Sequence, residues 1–284
     1  MKNRQRWNRP ATDSAKQKQL EKESHSPATE QIYGLVPIIE ALRAGQRPIE
    51  QITIAAGLRS ERLRELLSLA KAAKVPVHRV PAVGIRRALK DATHQGVVAK
   101  IAAARYHDSA DLLDQVCTRP GVLAPLVLAL DSIEDPRNFG AILRTAECTG
   151  VDAVFIPERR AVGLTDTVSK AAAGAIEYVP VARVTNLVRL IGELKERNIW
   201  VIGASGEGSV LHTKWDWKLP TALVLGSEGT GLHRLVRESC DALVRIPVVG
   251  KIESLNVSVA AGVLLYEALR QRSEAGELVV KVET

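Results

Sequence analysis

The side chains of this 284-residue chain best suited to chemistry fall in three short clusters. In the first, Ser254, Asn256 and Ser258 crowd five positions between an apolar run, Ala242 to Ile246, and a helix-like series from Val259 to Arg270. Polar groups lie there where an ordinary core would have none, which points to a bound ligand. In the second, Asp135, Pro136, Arg137, Asn138, Phe139 and Gly140 lead into Ala141, Ile142, Leu143 and Arg144. The arginine interrupts an apolar pattern, about 9 Å along a helix from Asn138 at 1.5 Å per residue. It either snorkels outward or faces a charged partner. In the third, Glu228 is the one carboxylate of a loop, Gly226 to Gly231, whose three glycines let the backbone approach a ligand closely.

Each cluster has a structural reading beside the functional one. Asn256 suits the N-cap of the helix it precedes, and Asp135 with Pro136 suits an N-cap and a first-turn proline. The glycine loop serves equally as a plain turn, and Gly250 allows a tight one after Pro247 ends the strand. Several familiar sites are excluded. No lysine follows Gly231, so the loop is not a Walker loop. Gly203, Ala204, Ser205, Gly206 and Glu207 lack the final glycine of a nucleophile elbow, and Gly206-x-Gly208 is too short for a dinucleotide fingerprint. Cys117, Cys148 and Cys240 are far apart and the six histidines are scattered, so neither a zinc site nor a disulfide framework is indicated and no metal is expected.

The elements that must position these clusters alternate. Between residues 123 and 284, strands are predicted at Leu126–Leu130, Ala153–Ile156, Ile199–Ala204, Ala222–Leu225 and Leu243–Ile246, with helices at Phe139–Thr149 and Thr185–Arg197. Short Val/Leu/Ile runs alternating with longer helices imply a mainly parallel α/β sheet covered on both faces. Ligands in such sheets collect at the carboxyl ends of the strands, where all three clusters fall. Upstream, helices over Val36–Arg43, Ser60–Lys74 and Ile85–Ala92 and strands over Ile49–Ala55, Val75–Val80 and Val97–Ala103 make a smaller α/β domain, residues 30–106. An Asp-rich helical piece lies in the linker, 107–122, and residues 1–29 read as a disordered basic arm.

Charge separates the halves. Residues 31–107 carry thirteen Lys/Arg against five Asp/Glu, whereas residues 108–284 carry nineteen against twenty-three. A basic module joined to a mildly acidic one suggests that the first holds a polyanion. With 46% hydrophobic residues the chain can build a real core. No apolar run reaches the roughly 18 residues of a membrane helix, and no secretory signal is evident, so a soluble cytoplasmic protein is expected.

Together, DPRNFGAILRTAE, LVLGSEGTGL and IPVVGKIESLNVSVAAG resemble, in order and spacing, the three motifs of the SpoU or TrmH-like branch of the SPOUT class, RNA 2′-O-ribose methyltransferases that use S-adenosylmethionine. The first domain is similar to that family's L30e-like substrate-binding domain, through Ile32 to Gly34, Glu40 to Leu42 and Thr93 to Ala99. The resemblance implies an α/β knot, a deep C-terminal trefoil, in a homodimer. It implies a cofactor pocket of Gly226, Ile246 and Leu255, with Gly203 and Ala204 at the preceding strand end. It matches Arg144 to the family's catalytic arginine, and Asn138, Glu228, Ser254, Asn256 and Ser258 to positions that orient the arginine, the ribose and the cofactor. The implied substrate is a guanosine ribose in 23S rRNA. The alternatives are tRNA, an antibiotic-resistance site in rRNA, or a catalytically silent assembly factor.

Overall fold

A computed structural model describes residues 29–84, 95–118 and 124–276. The predicted helix over Ile85–Ala92 and the N-terminal arm lie outside these residues, except that Thr29 already opens a strand. In the first half, β1 (Thr29–Tyr33), β2 (Ile49–Ala55), β3 (Val77–Val80) and β4 (Val97–Ala102) form one sheet in the order β1-β4-β2-β3. β4 pairs antiparallel with both β1 and β2, and β2 runs parallel to β3. Helices α1 (Leu35–Ala44) and α2 (Glu61–Ala72) bury Ile38, Ile39, Leu63 and Leu66 against Ile52, Ile54, Val97 and Ile101. The Ser60 hydroxyl starts α2 by accepting the Leu63 amide at 3.1 Å.

The second half is one sheet of seven strands: β5 (Leu126–Asp131), β6 (Ala153–Pro157), β7 (Val181–Val184), β8 (Trp200–Ala204), β9 (Val210–Leu211), β10 (Thr221–Gly226) and β11 (Ala242–Arg245). Their order is β7-β6-β5-β10-β8-β11-β9, and every pairing is parallel. All six residues of β5 are buried, as a central strand covered on both faces requires. Leu126, Leu128 and Leu130 face the layer of α4 (Pro136–Cys148), α5 (Asp166–Ala171) and α8 (Val257–Glu274). Val127 and Ala129 face α3 (Ser109–Thr118), α6 (Leu187–Glu196) and α7 (Arg234–Ser239). The expected α/β class with a mainly parallel sheet and a second, N-terminal domain is met.

The segment read as a linker, 107–122, does more than connect. Its α3 buries Leu112, Leu113 and Val116 in the same core as Phe155, Leu187 and Leu190, so this helix belongs to the second domain. Its acidic outer face had masked that apolar stripe. Five further elements escaped the periodicity, all of them short: β1, β7 and β9 are five, four and two residues long, and α5 and α7 have six each. Gly250 does not take left-handed backbone and a Cβ there meets nothing within 4 Å, so this position has room for a side chain.

The halves meet through charge. Arg47 Nε donates to Glu177 Oε2 at 3.0 Å, Nη2 donates to Glu177 Oε1, and Nη1 donates to Glu30 and to the Ala102 carbonyl. The Arg47 and Glu30 side chains are 11% exposed and that of Glu177 is 2% exposed. Burial works against the Arg47 charge, but the hydrogen bonds and charges of the two glutamates outweigh it and raise its pKa. Beside this cluster the Tyr178 hydroxyl donates to Glu40 Oε2 at 2.8 Å. Burial, with the Glu40 carboxylate, pushes that phenol up to about 12. Gly174, at φ 97°, lets the chain pass Glu40, whose Cβ would lie 2.5 Å from a Cβ at this position.

Candidate active site

Three loops leave the carboxyl ends of the parallel strands β5, β10 and β11 and bring distant residues together. After β5, Asp135 accepts the Arg137 amide at 2.7 Å and Pro136 occupies the first turn of α4, as a cap and proline should. That turn directs Asn138 inward, where it is 8% exposed. Gly140 then lets α4 lie against α5; an added Cβ would stand 2.4 Å from that of Ala171. After β10, Ser227 and Gly231 exchange backbone hydrogen bonds of 3.1 and 3.0 Å, closing a tight loop with Glu228 at its tip. Gly229 and Gly231 take positive φ there, at 88° and 65°. Gly226 is glycine because the loop folds back on it: a Cβ would lie 2.1 Å from the carbonyl carbon of Gly231.

At the tip the polar groups form a closed set. Asn138 Nδ2 donates to Glu228 Oε1 at 2.7 Å, and Asn256 Nδ2 donates to the same oxygen at 2.5 Å and to Asn138 Oδ1 at 3.1 Å. The other face of the Asn256 amide caps α8. Its Oδ1 accepts the Ser258 amide at 2.9 Å, the Val259 amide at 3.4 Å and the Ser258 hydroxyl at 2.6 Å. One side chain therefore fixes both the helix start and the carboxylate. Asn256→Ala should cost about 1 kcal/mol of stability through the lost cap, measured by urea unfolding, and should also impair activity. An unchanged unfolding midpoint would contradict the cap.

The remaining sequence candidates stand apart from this set. Six residues along α4, Arg144 is about 240° round from Asn138. It is exposed, and among the described residues it makes no hydrogen bond or ion pair. Ser254 is exposed in the irregular segment 246–256, and Leu255 is 41% exposed. Ile246 is half-buried against the core. Ala204 and Gly226 sit half-buried at the ends of β8 and β10. Gly203 lies one residue inside the sheet, paired with Val224 and Leu243, and a Cβ would stand 2.7 Å from Leu243 Cδ2.

The structure also adds residues that the motifs did not reveal. A cleft of about 360 Å³ is lined by Asn138 and Glu228 together with Arg160, Thr230 and His233. Asp131, at the end of β5, is 4% exposed and faces His233, which follows the glycine loop 102 residues later. The signal for Asp131 was a carboxylate closing an otherwise apolar strand. His233 and Arg160 had no local signal. No cluster of metal-ligating side chains occurs among the described residues.

A doubly wound parallel sheet with a polar site at its carboxyl edge, joined to a small basic α/β domain, defines a two-domain α/β enzyme. Residues 125–266 match the model of the SpoU rRNA methylase family, and residues 31–107 match that of the RNA 2′-O ribose methyltransferase substrate-binding domain. A protein of Staphylococcus aureus (strain COL) assigned to the TrmH family of tRNA/rRNA methyltransferases is 45% identical over 87% of this chain and 98% of its own length. The SpoU methyltransferase AviRb of Streptomyces viridochromogenes, solved with its cofactor AdoMet, superposes with a TM-score of 0.70 at 26% identity, over 89% of this chain and 93% of its own. A solved RNA 2′-O ribose methyltransferase gives 0.73 at 25% identity, over 93% of this chain and 98% of its own. This chain belongs to the SpoU family of RNA ribose methyltransferases.

Proposed function

We propose that this protein transfers the methyl group of S-adenosyl-L-methionine to the 2′-hydroxyl of a guanosine in 23S rRNA. The observation that carries the reading is the Asn138–Glu228–Asn256 set at the carboxyl edge of the sheet. It lies beside three parallel strand ends that offer a ligand backbone and aliphatic groups. Ala204, Gly226 and Ile246 stand at the ends of β8, β10 and β11, with Leu255 exposed beyond them. Backbone donors and acceptors with aliphatic walls suit an adenine, whose edge needs hydrogen bonds and whose face needs apolar cover. Gly203 supports that wall from within the sheet.

S-adenosylmethionine, when bound, supplies a methyl group on a sulfonium. The protein must hold the ribose hydroxyl in line with that methyl and balance the charge that develops on oxygen. Arg144 carries a permanently charged guanidinium and stabilises that oxygen or a neighbouring phosphate. Asn138, Glu228, Asn256 and Ser258 hold one another rigidly, and Ser254 flanks the same helix start, so that ribose and donor meet a preorganised edge. The exposed Val248, Val249, Ile252 and Leu255, continued along α8 by Val259 and Tyr266, seven residues apart on one helix face, support a homodimer formed through this domain. The irregular segment 246–256 is then the last pass of the knot.

The basic first domain supports a structured rRNA substrate, because thirteen cationic residues against five acidic ones favour a polyanion. Tritium transfer from the methyl-labelled donor to bulk rRNA and bulk tRNA tests the assignment. Label is expected in 23S rRNA as a 2′-O-methylguanosine. Label in tRNA alone would replace this substrate, and label in neither would leave an RNA-binding protein without catalysis.

A further inference from the structure

We infer that His233, held by Asp131, is the proton acceptor of the reaction; this rests on the methyl-transfer reading above. The transfer forms an O–C bond as the C–S bond breaks, with the electron pair passing to sulfur. The hydroxyl proton then needs a base. Most polar groups of the cleft are committed or unsuited. Oε1 of Glu228 already accepts from Asn138 and Asn256, and among the described residues no hydrogen bond orients its Oε2. Asp135 Oδ1 caps α4. The guanidinium of Arg160, like that of Arg144, has no lone pair to offer. Glu134 is exposed on the rim, with no hydrogen bond to orient it among the described residues.

His233 is built differently. Its Nδ1 lies 2.9 Å from Asp131 Oδ1, and its own backbone amide donates to Asp131 Oδ2 at 2.8 Å. Both oxygens of one carboxylate therefore grip one residue, and that carboxylate belongs to a side chain only 5% exposed. A carboxylate in its ionised form can only accept, so this contact favours the tautomer with the proton on Nδ1 and the lone pair on Nε2. The histidine side chain is 48% exposed and lines the cleft that it shares with Asn138 and Glu228. The sheet register explains the placement: Asp131 pairs with Gly226, and the loop returns over Gly226 just before His233. Asp131 is thus a positioning residue and His233 the group that takes the proton. The charged groups around the ring are Asp131 from β5, Glu134 and Asp135 from the loop before α4, Arg160 from the loop after β6, Glu228 from the glycine loop and Arg234 from the start of α7.

The test is the pH profile of kcat for full-length protein with labelled S-adenosylmethionine and 23S rRNA. The wild type should lose rate on the acid side as the acceptor is protonated. His233→Gln should lower kcat about 10²-fold, abolish that acid limb, and leave donor affinity by calorimetry and KM for RNA within twofold. His233→Asn should behave alike, which separates the lost base from a local packing fault. Asp131→Asn should move the acid limb. Either histidine variant with near wild-type kcat and an unchanged limb overturns the inference alone. A wild type that binds the donor yet methylates no RNA overturns the underlying reading and this inference together.

Discussion

Arg144→Ala is expected to lower methyl transfer by about 10²–10³-fold while leaving S-adenosylmethionine affinity nearly intact. The side chain projects from α4 away from Asn138, is exposed, and bonds to no other described residue, so its removal opens no cavity and strands no buried partner. A large kinetic loss at unchanged thermal stability would therefore report on the developing charge and not on the fold. Arg144→Lys should recover little, because an ammonium cannot reproduce the planar fork of a guanidinium. Single-turnover methylation alongside calorimetric donor binding checks both statements. Methyl transfer at wild-type rate in the alanine variant would remove Arg144 from the mechanism.

The second large effect lies far from the site. Arg47→Met is expected to destabilise the protein by about 3–5 kcal/mol, because it leaves Glu177 and Glu30 as neighbouring buried carboxylates without their cation. The charge of the lost guanidinium matters less than the two anions it abandons. Adding Glu177→Leu to Arg47→Met should therefore restore much of the loss. Differential scanning calorimetry should show the single variant melting earlier, with the two halves separating into distinct transitions. A single unshifted transition would show that the cluster does not couple the domains.

How much of this was legible in the residues follows from the range of each interaction. The run Leu126 to Leu130, the cap Asp135 with its proline, and the apolar series of α4 are local patterns, and each became the element its spacing demanded. Asn256 also announced itself as a cap, since the chemistry of an N-cap is contained within three residues. α3 was misplaced because its polar positions dominate its composition while Leu112, Leu113 and Val116 carry its packing. β7 was lost because Val181–Val184 runs almost directly into the apolar start of α6. Contacts that close over long loops left no trace in the local spacing. Arg47 and Glu177 are 130 residues apart, Asp131 and His233 are 102 apart, and Asn138 and Asn256 are 118 apart. Only topology brings these together, and the family motifs encode that topology for the last pair alone.

The double use of Asn256 has a consequence for the order in which this protein becomes competent. Its oxygen cannot cap α8 until the C-terminal segment is in place, and until then its amide does not hold Glu228. The basic domain comes first in the chain and has its own core, so on the proposed function RNA capture is expected to precede the power to modify. On the proposed function, a C-terminal helix that frays at its first turn is expected to return the molecule to that earlier condition, binding without turnover.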